Sequence, residues 1–259
     1  MNRLLTVTAL LAYAALALPV FFVIGASFTS AGYLSFPPQG LSLRWWDVMI
    51  GDREMMNGFW ISAYVAVATV LISVPVGALA TIYLGQIPIR ARNILVTFFA
   101  SPLSVPMVLT GFALLVLLTQ MGLLNQLGLI IGHTVISVPY VTRSALASMS
   151  LSDPSLPRAA AIHGARPSQV IWHVVLPSLR PGLVSGGLFA FLASVNNVVI
   201  SVFLVQPGTS PLPVVIFSRM ENLAEPSVAA ASTAVIVVTA AFCLLLEKRY
   251  QLFRSLAGR

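Results

Sequence analysis

Six runs of apolar residues constrain this chain more than any other feature. They are Leu4–Phe28, Phe59–Leu84, Ile94–Leu118, Leu127–Met149, Leu183–Val205 and Val228–Leu246. A helix rises 1.5 Å per residue, so about 20 mostly apolar residues cross the hydrocarbon core of a bilayer. In lipid each backbone polar group must find its partner inside the segment, so runs of this kind fold as helices. The composition agrees. Of 259 residues, 58% are hydrophobic and 8% charged, where a soluble domain carries about 25% charged. The sequence therefore predicts an all-α polytopic membrane protein with six transmembrane helices, forming one transmembrane domain over residues 1–259.

Charge sets the expected orientation. With the N-terminus inside, the inner segments hold Arg3, Arg90, Arg92, Arg143, Arg158, Arg166, Arg180, Lys248, Arg249, Arg254 and Arg259. The outer segments hold Arg44, Arg53 and Arg219. Positive residues gather on the cytoplasmic side of membrane proteins, so both termini are expected in the cytoplasm. The net charge of +7 raises the prospect of nucleic-acid binding. The basic residues lie between apolar spans and form no aromatic-interleaved patch, which argues against it. Cys243 is the one cysteine, so no internal disulfide forms. The first apolar run exceeds the 7–15 residues of a signal-peptide core. Retention of residues 1–28 is the expectation, with cleavage near Gly25-Ala26-Ser27 as the alternative.

The loops and span interiors carry further signals. In the first outer loop, Pro37 and Pro38 stiffen the chain. Trp45-Trp46 suit the membrane interface, with partner contact as the alternative. A short flat helix is expected over Leu43–Ile50. A stiff turn is expected over Gln206–Pro213, and a short helix over Ser218–Leu223. Pro75 lies in the second span, and Pro102 and Pro106 in the third. Proline frees a carbonyl, for which Ser101, Ser104 and Thr110 are candidate partners. Broken helices of this kind line pathways in transporters, and a packing kink fits equally. His133 and Arg143 sit near opposite ends of the fourth span, with no buried carboxylate to make a relay. In the fifth span, Gly182, Gly186 and Gly187 permit close helix approach. Ser194, Asn196 and Asn197 follow. Two adjacent amides in a membrane need partners or a wet cavity, so interhelical bonding and a substrate path both fit.

The stretch Arg158–Gly182 is the longest inner interval without a membrane-grade run. Asp153-Pro154 reads as a cap followed by a first helical proline. Ala159, Ala160 and Ala161 favour helix, Gly164 suits its C-terminus, and Pro167 opens a second short helix ending near Leu176-Pro177. The prediction is helix, turn, helix, which also fits an ordinary basic loop.

Ala159-Ala160, Gly164-Ala165 and Leu176-Pro177 resemble, in type and spacing, the EAA loop of ABC-importer permeases. Phe36-Pro37-Pro38, Leu43-Arg44-Trp45, Pro102-Leu103-Ser104-Val105-Pro106 and Leu212-Pro213 extend the likeness to the spermidine/putrescine branch of the type I fold. The resemblance implies a permease subunit of an ATP-driven importer in a bacterial inner membrane. It would form half of a pathway for a small polar solute, a polyamine or related compound. It implies a dimer of ABC ATPase subunits, a sister permease in a heterodimer and an external solute-binding protein as partners. Arg158, Ala159, Ala160, His163, Gly164, Ala165, Leu176 and Pro177 would couple to the ATPase. Ser194, Asn196, Asn197, Ser101 and Ser104 would line the path. Two positions depart from the family. Arg158 stands where relatives carry Glu, and Asn196 where many carry Asp. No phosphate-binding Gly-rich Lys loop is present, so ATP would be bound by another subunit. No cofactor, metal site or catalytic set is expected. A stand-alone channel or secondary carrier is the alternative. It would want an intramembrane acid, and no Asp or Glu lies mid-span.

Overall fold

The computed structural model describes residues 3–222 and 225–250. Among the described residues the only extended pairing is an isolated bridge between Thr29 and Leu41. The helices are α1 (Arg3–Ala26), α2 (Arg44–Gly51), α3 (Arg53–Leu84), α4 (Ile89–Ser104), α5 (Met107–Gln120), α6 (Gln126–Leu151), α7 (Leu156–Ile162), α8 (Pro167–Val170), α9 (Leu176–Val195), α10 (Val199–Leu204), α11 (Leu212–Asn222) and α12 (Pro226–Tyr250). A π-helical turn, Ile171–Val175, joins α8 to α9 without a stop. The side chains of Arg3 and Leu4, and residues Leu223, Arg254 and Arg259 named above, lie outside the described set.

The core is built on α3, α6 and α9, which pack against one another more extensively than any other elements. Small residues make this possible. A Cβ on Gly186 would lie 2.7 Å from Val141 Cα, and one on Gly77 would lie 2.6 Å from Val141 Cγ1. Val141 is thus wedged between two glycines, fully buried. Such close approach supplies the dispersion contacts that hold helices together in lipid. Gly182 meets the Ser144 carbonyl in the same seam. A second cluster joins α5 and α10 to this core through Leu114, Leu118, Ile200 and Leu204.

By length and composition, α1, α3, α12 and the run Pro167–Val195 are each able to cross a membrane. The bent pair α4–α5 makes a fifth if the two helices together form one broken span rather than a re-entrant loop. The sixth expected span, α6, is long enough but carries His133, Thr134, Ser137, Thr142, Arg143, Ser144 and Ser148. Its position explains this. A helix enclosed by α3 and α9 needs less apolar surface than one facing lipid.

The third span is not one helix. It breaks at Val105, and α4 and α5 meet at 96°. The cause is local. The residue before a proline is pushed out of the helical region, and Val105, before Pro106, has φ −83° and ψ 138°. The fifth span differs at both ends from the expected Leu183–Val205. At its start, Leu176-Pro177 does not end a helix. A proline clashes with the carbonyl four residues back, here His173, and the wider π turn falls on that residue. At its far end the helix stops at Val195, and α10 resumes at Val199.

The outer elements also depart in detail. α2, Arg44–Gly51, falls where a short helix is expected over Leu43–Ile50. Trp45, however, turns inward at 7% exposure, its indole N–H donating to the Ala31 carbonyl at 3.0 Å. Trp46 stacks on Phe28 at 5.8 Å. The pair therefore ties the loop together instead of anchoring both rings in an interface. α11 begins at Leu212, six residues before the helix expected from Ser218, and shortens the proline-rich turn accordingly.

Candidate functional site: a protruding helical turn and a cavity at two helix breaks

The helix–turn–helix follows α6. Asp153 and Ser155 set its start, with the Ser155 amide donating to Asp153 Oδ1 at 2.8 Å. Hydrogen bonds from Ser155 hold the Asp153 carboxyl below its ordinary value. α7 begins at Leu156, so Asp153-Pro154 form the turn before the helix and not its first residues. The end of α7 follows the Schellman pattern. The Ala165 amide donates to the Ala160 carbonyl and the Gly164 amide to the Ala161 carbonyl, both at 3.0 Å. This requires positive φ at Gly164, which is +85°. A Cβ there would meet nothing within 4 Å, so the requirement is conformational and not one of space.

The reversal lays α7 against α8 and the π turn. Ala160, His163, Gly164, Ala165, Gln169 and His173 then line one shallow depression. Gln169 closes α8 by accepting from the Arg166 amide at 2.8 Å, and the carbonyl of Gln169 meets His173 Nδ1 at 3.0 Å. Arg158 and Ala159 are exposed on α7. Leu176 and Pro177 lie beyond the depression, where the π turn passes into α9. Ile162 and Trp172 are 84% and 66% exposed. Together these residues form an apolar, basic-edged projection that no described helix covers.

The second region lies where both broken spans meet. Met107, at the start of α5, lines a cavity with Ile136, Tyr140, Ala193, Asn196, Asn197, Val198 and Val199. α5 and α10 pack tightly here, a Cβ on Gly111 meeting Phe203 at 2.5 Å. Of the expected path residues, Asn196 and Asn197 share this cavity. They differ in role. Asn197 is buried and caps α10, its Oδ1 accepting from the Ile200 amide at 2.8 Å. Asn196 is exposed, its Nδ2 donating to the Leu192 carbonyl at 3.1 Å. Among the described residues its Oδ1 has no protein partner.

The remaining expected residues fall elsewhere. Ser194 is buried, its hydroxyl 2.8 Å from His133 Nδ1. Ser101 lines a different groove, with Phe98, Pro102, Thr134 and Val138. Ser104 is exposed at the end of α4 and lines neither hollow. Reading by sequence assigns no site role to His133 or Ser201, which meet at 3.0 Å beside the second break. The only available signal was a histidine among apolar residues, with two serines seven apart in the fifth span. Among the described residues no three His, Cys, Asp or Glu side chains come together as a metal site.

At the opposite end of α3, Arg219 of α11 bridges Asp52 at 2.7 Å and Glu54 at 2.8 Å. Asp52 also caps α3, accepting from the Glu54 and Met55 amides at 3.0 Å. Partial burial raises its carboxyl, but the Met55 amide, the Arg219 guanidinium and the Glu54 amide more than offset this. It therefore titrates below its ordinary value of 3.8.

Comparison with known proteins adds three findings. The family described as "Binding-protein-dependent transport system inner membrane component" matches residues 73–254. The chain is 27% identical to the putrescine transport system permease PotI of Escherichia coli K12, over 88% of this chain and 83% of that one. It is also 27% identical to the spermidine/putrescine permease PotC of Haemophilus influenzae, over 90% and 91%, and to the molybdenum transport system permease ModB of Mycobacterium bovis, over 78% and 81%. Among solved structures, a bacterial ABC transporter importing alginate matches with a TM-score of 0.68 at 17% identity, covering 96% of this chain and 98% of that one. A bacterial alginate ABC transporter in complex with an alginate pentasaccharide-bound periplasmic protein matches at 0.69 and 15% identity, covering 94% and 93%.

Proposed function

Because the chain belongs to the family of binding-protein-dependent transport system inner membrane components, we propose that it forms half of the translocation path of an ABC importer. A sister permease supplies the other half, and an ATPase dimer drives the cycle from the cytoplasm. A periplasmic or extracellular binding protein delivers the solute. The observation that carries this reading is the projection at Gly164. A short helix, a positive-φ glycine and a second short helix continue directly into a core helix of the bundle. Motion imposed on α7 is thus transmitted through α8 and the π turn into α9, the helix that ends at the cavity. Arg158, Ala159, Ala160, His163, Gly164 and Ala165 form the docking face. Leu176 and Pro177 form the junction with the span.

The cargo is a small polar solute. The PotI and PotC likenesses favour a polyamine or related compound, and the ModB likeness shows how widely such relatives range. Asn196 offers a free carbonyl oxygen in the cavity, where a carboxylate would attract a cation by charge. Among the described residues, no Asp or Glu lies in the middle of a span of this chain, so any counter-charge to a polyamine comes from the sister permease. The test is uptake by proteoliposomes holding both permeases, the ATPase and the binding protein. ATP-dependent import of putrescine or spermidine is expected, reduced at least about tenfold by Asn196→Leu. Import without ATP or binding protein would favour a channel or carrier and overturn the reading.

A further inference from the structure

Resting on that transport reading, we propose that His133 is a positioning residue for the path: it clamps both sides of the break in the fifth span and so presents Asn196 to the cavity. The imidazole is 1% exposed, and both of its nitrogens are engaged by the fifth span. Nδ1 lies 2.8 Å from Ser194 Oγ in the last turn of α9. Nε2 lies 3.0 Å from Ser201 Oγ in α10.

The directions of these bonds follow from the groups present. Ser201 Oγ also lies 2.6 Å from the Asn197 carbonyl. A carbonyl only accepts, so the single hydroxyl proton of Ser201 goes to it. Nε2 must then carry the proton and donate to Ser201. The neutral ring leaves Nδ1 bare, and Nδ1 accepts the proton of Ser194. Ser194, His133, Ser201 and the Asn197 carbonyl thus form one chain of bonds with no conflicting donor. Such a chain is stronger than separate pairs in a low-dielectric interior.

The chain of bonds spans the break. Ser194 lies before it, Asn197 within it and Ser201 after it, while His133 sits on a different helix, α6. At the same break Asn196 is exposed, between Val195 at 9% and Asn197 at 7% exposure. Residues adjacent on a regular helix differ by about 100° in direction, so a small change in the break buries Asn196 and exposes a neighbour in its place. An imidazole fixed from α6 opposes that change. Leucine at 133 fills similar space but cannot make the bonds. Ser194 is then free to bond back to its own helix, as Ser201 already does to the Asn197 carbonyl, so folding is retained.

The experiment reads the break directly and does not require transport. In a Cys243→Ser background, Asn196→Cys and Val195→Cys are labelled separately with a small water-soluble maleimide, in the purified full-length chain. With His133 present, position 196 is expected to react at least about tenfold faster than 195. His133→Leu should reduce that preference about tenfold, a change of about 1.4 kcal/mol. His133→Gln, which both donates and accepts, should restore it to within about threefold. In the reconstituted importer, His133→Leu should raise the KM for solute more than it lowers kcat, with His133→Gln again close to wild type. An unchanged 196-to-195 preference in His133→Leu overturns the clamp. Failure of even the wild-type importer to transport overturns the transport reading and leaves the labelling result to stand.

Discussion

Gly164 shows how much one residue can decide. Its φ of +85° completes the Schellman bonds at the end of α7, and open space surrounds its α-carbon. Any side chain fits sterically around it, but left-handed backbone costs an L-residue about 1–2 kcal/mol. Asparagine tolerates this region best among the alternatives. Gly164→Asn should therefore keep most uptake, Gly164→Ala should lose a part, and Gly164→Pro, locked near φ −65°, should abolish it in a chain still present in the membrane. Uptake assays paired with membrane immunoblots check the order, and normal uptake by Gly164→Pro would remove the turn from the coupling path. Arg158 makes a sharper case. It is exposed on α7, without a partner among the described residues, where the family resemblance leads one to expect Glu. If an acid on the ATPase faces it, Arg158→Glu sets like charges together and weakens association far more than Arg158→Ala. An exposed pair contributes only about 0.2–1 kcal/mol, so the contrast should be clear in low salt and fade in high salt. Co-purification of the ATPase with each variant decides it, and full binding by Arg158→Glu means that Arg158 faces solvent.

At the scale of elements, what was legible depended on how local the cause was. The positive-φ turn at Gly164 followed from residues next to one another, and so did the short helix α2. The break at Val105 could also have been read from Pro106, since it needs only the steric rule for the preceding residue. The break at Asn196–Val198 could not. No proline lies there, and the apolar pattern runs on through Val198 and Val199. Its partners, His133 and Ser194, are far apart in sequence and meet only in the fold. The inward turn of Trp45 likewise depends on a carbonyl fourteen residues away. Arg219 and Asp52 are another nonlocal pair, and their charge makes a prediction. A carboxyl whose folded pKa is depressed stabilises the fold above its unfolded value and loses that contribution as pH falls through the folded one. Arg219 stays charged throughout, its contacts with Glu54 and Asp52 offsetting the partial burial that would lower its pKa. The Asp52 part of the clamp should therefore be complete from neutral pH to about 4, and be lost on further acidification, as Asp52 titrates below 3.8. The melting temperature of Arg219→Ala should lie below that of wild type near neutrality, and the gap should narrow below about pH 4. A gap constant from pH 7 to pH 3 would show that Arg219 acts by packing alone.

At the scale of the whole molecule, the arrangement of charge in the sequence and the direction of the helices make the same claim. α3 and α6 run in parallel, since Gly77 meets Val141 and Gly85 meets Met149. The N-terminal end of α3 holds Asp52 and Glu54 with Arg219, and Asn57 Nδ2 donates to the Gly208 carbonyl at 3.3 Å there. Four of the seven acids, Asp47, Asp52, Glu54 and Glu221, lie on α2, α3 and α11 or, for Asp52, at the cap between the first two, and these elements gather at this end. α6 leads away from it into α7 and α8, which carry Arg158 and lie beside Arg166. On the positive-inside rule, the Gly164 turn is expected in the cytoplasm and the Arg219 clamp outside. The prediction is that reporters fused at Pro38 and Gly208 read external and a reporter fused at Gln169 reads internal. A C-terminal fusion at Gly258, outside the described residues, should also read internal. The assignment depends on α6 crossing despite its polar residues, because without that crossing Gln169 and Gly208 would no longer fall on the expected sides. Reporter activity after each fusion measures this directly. An external reading at Gln169 would remove the Gly164 turn from the reach of any cytoplasmic ATPase, and with it the proposed route from ATP hydrolysis through α9 to the cavity.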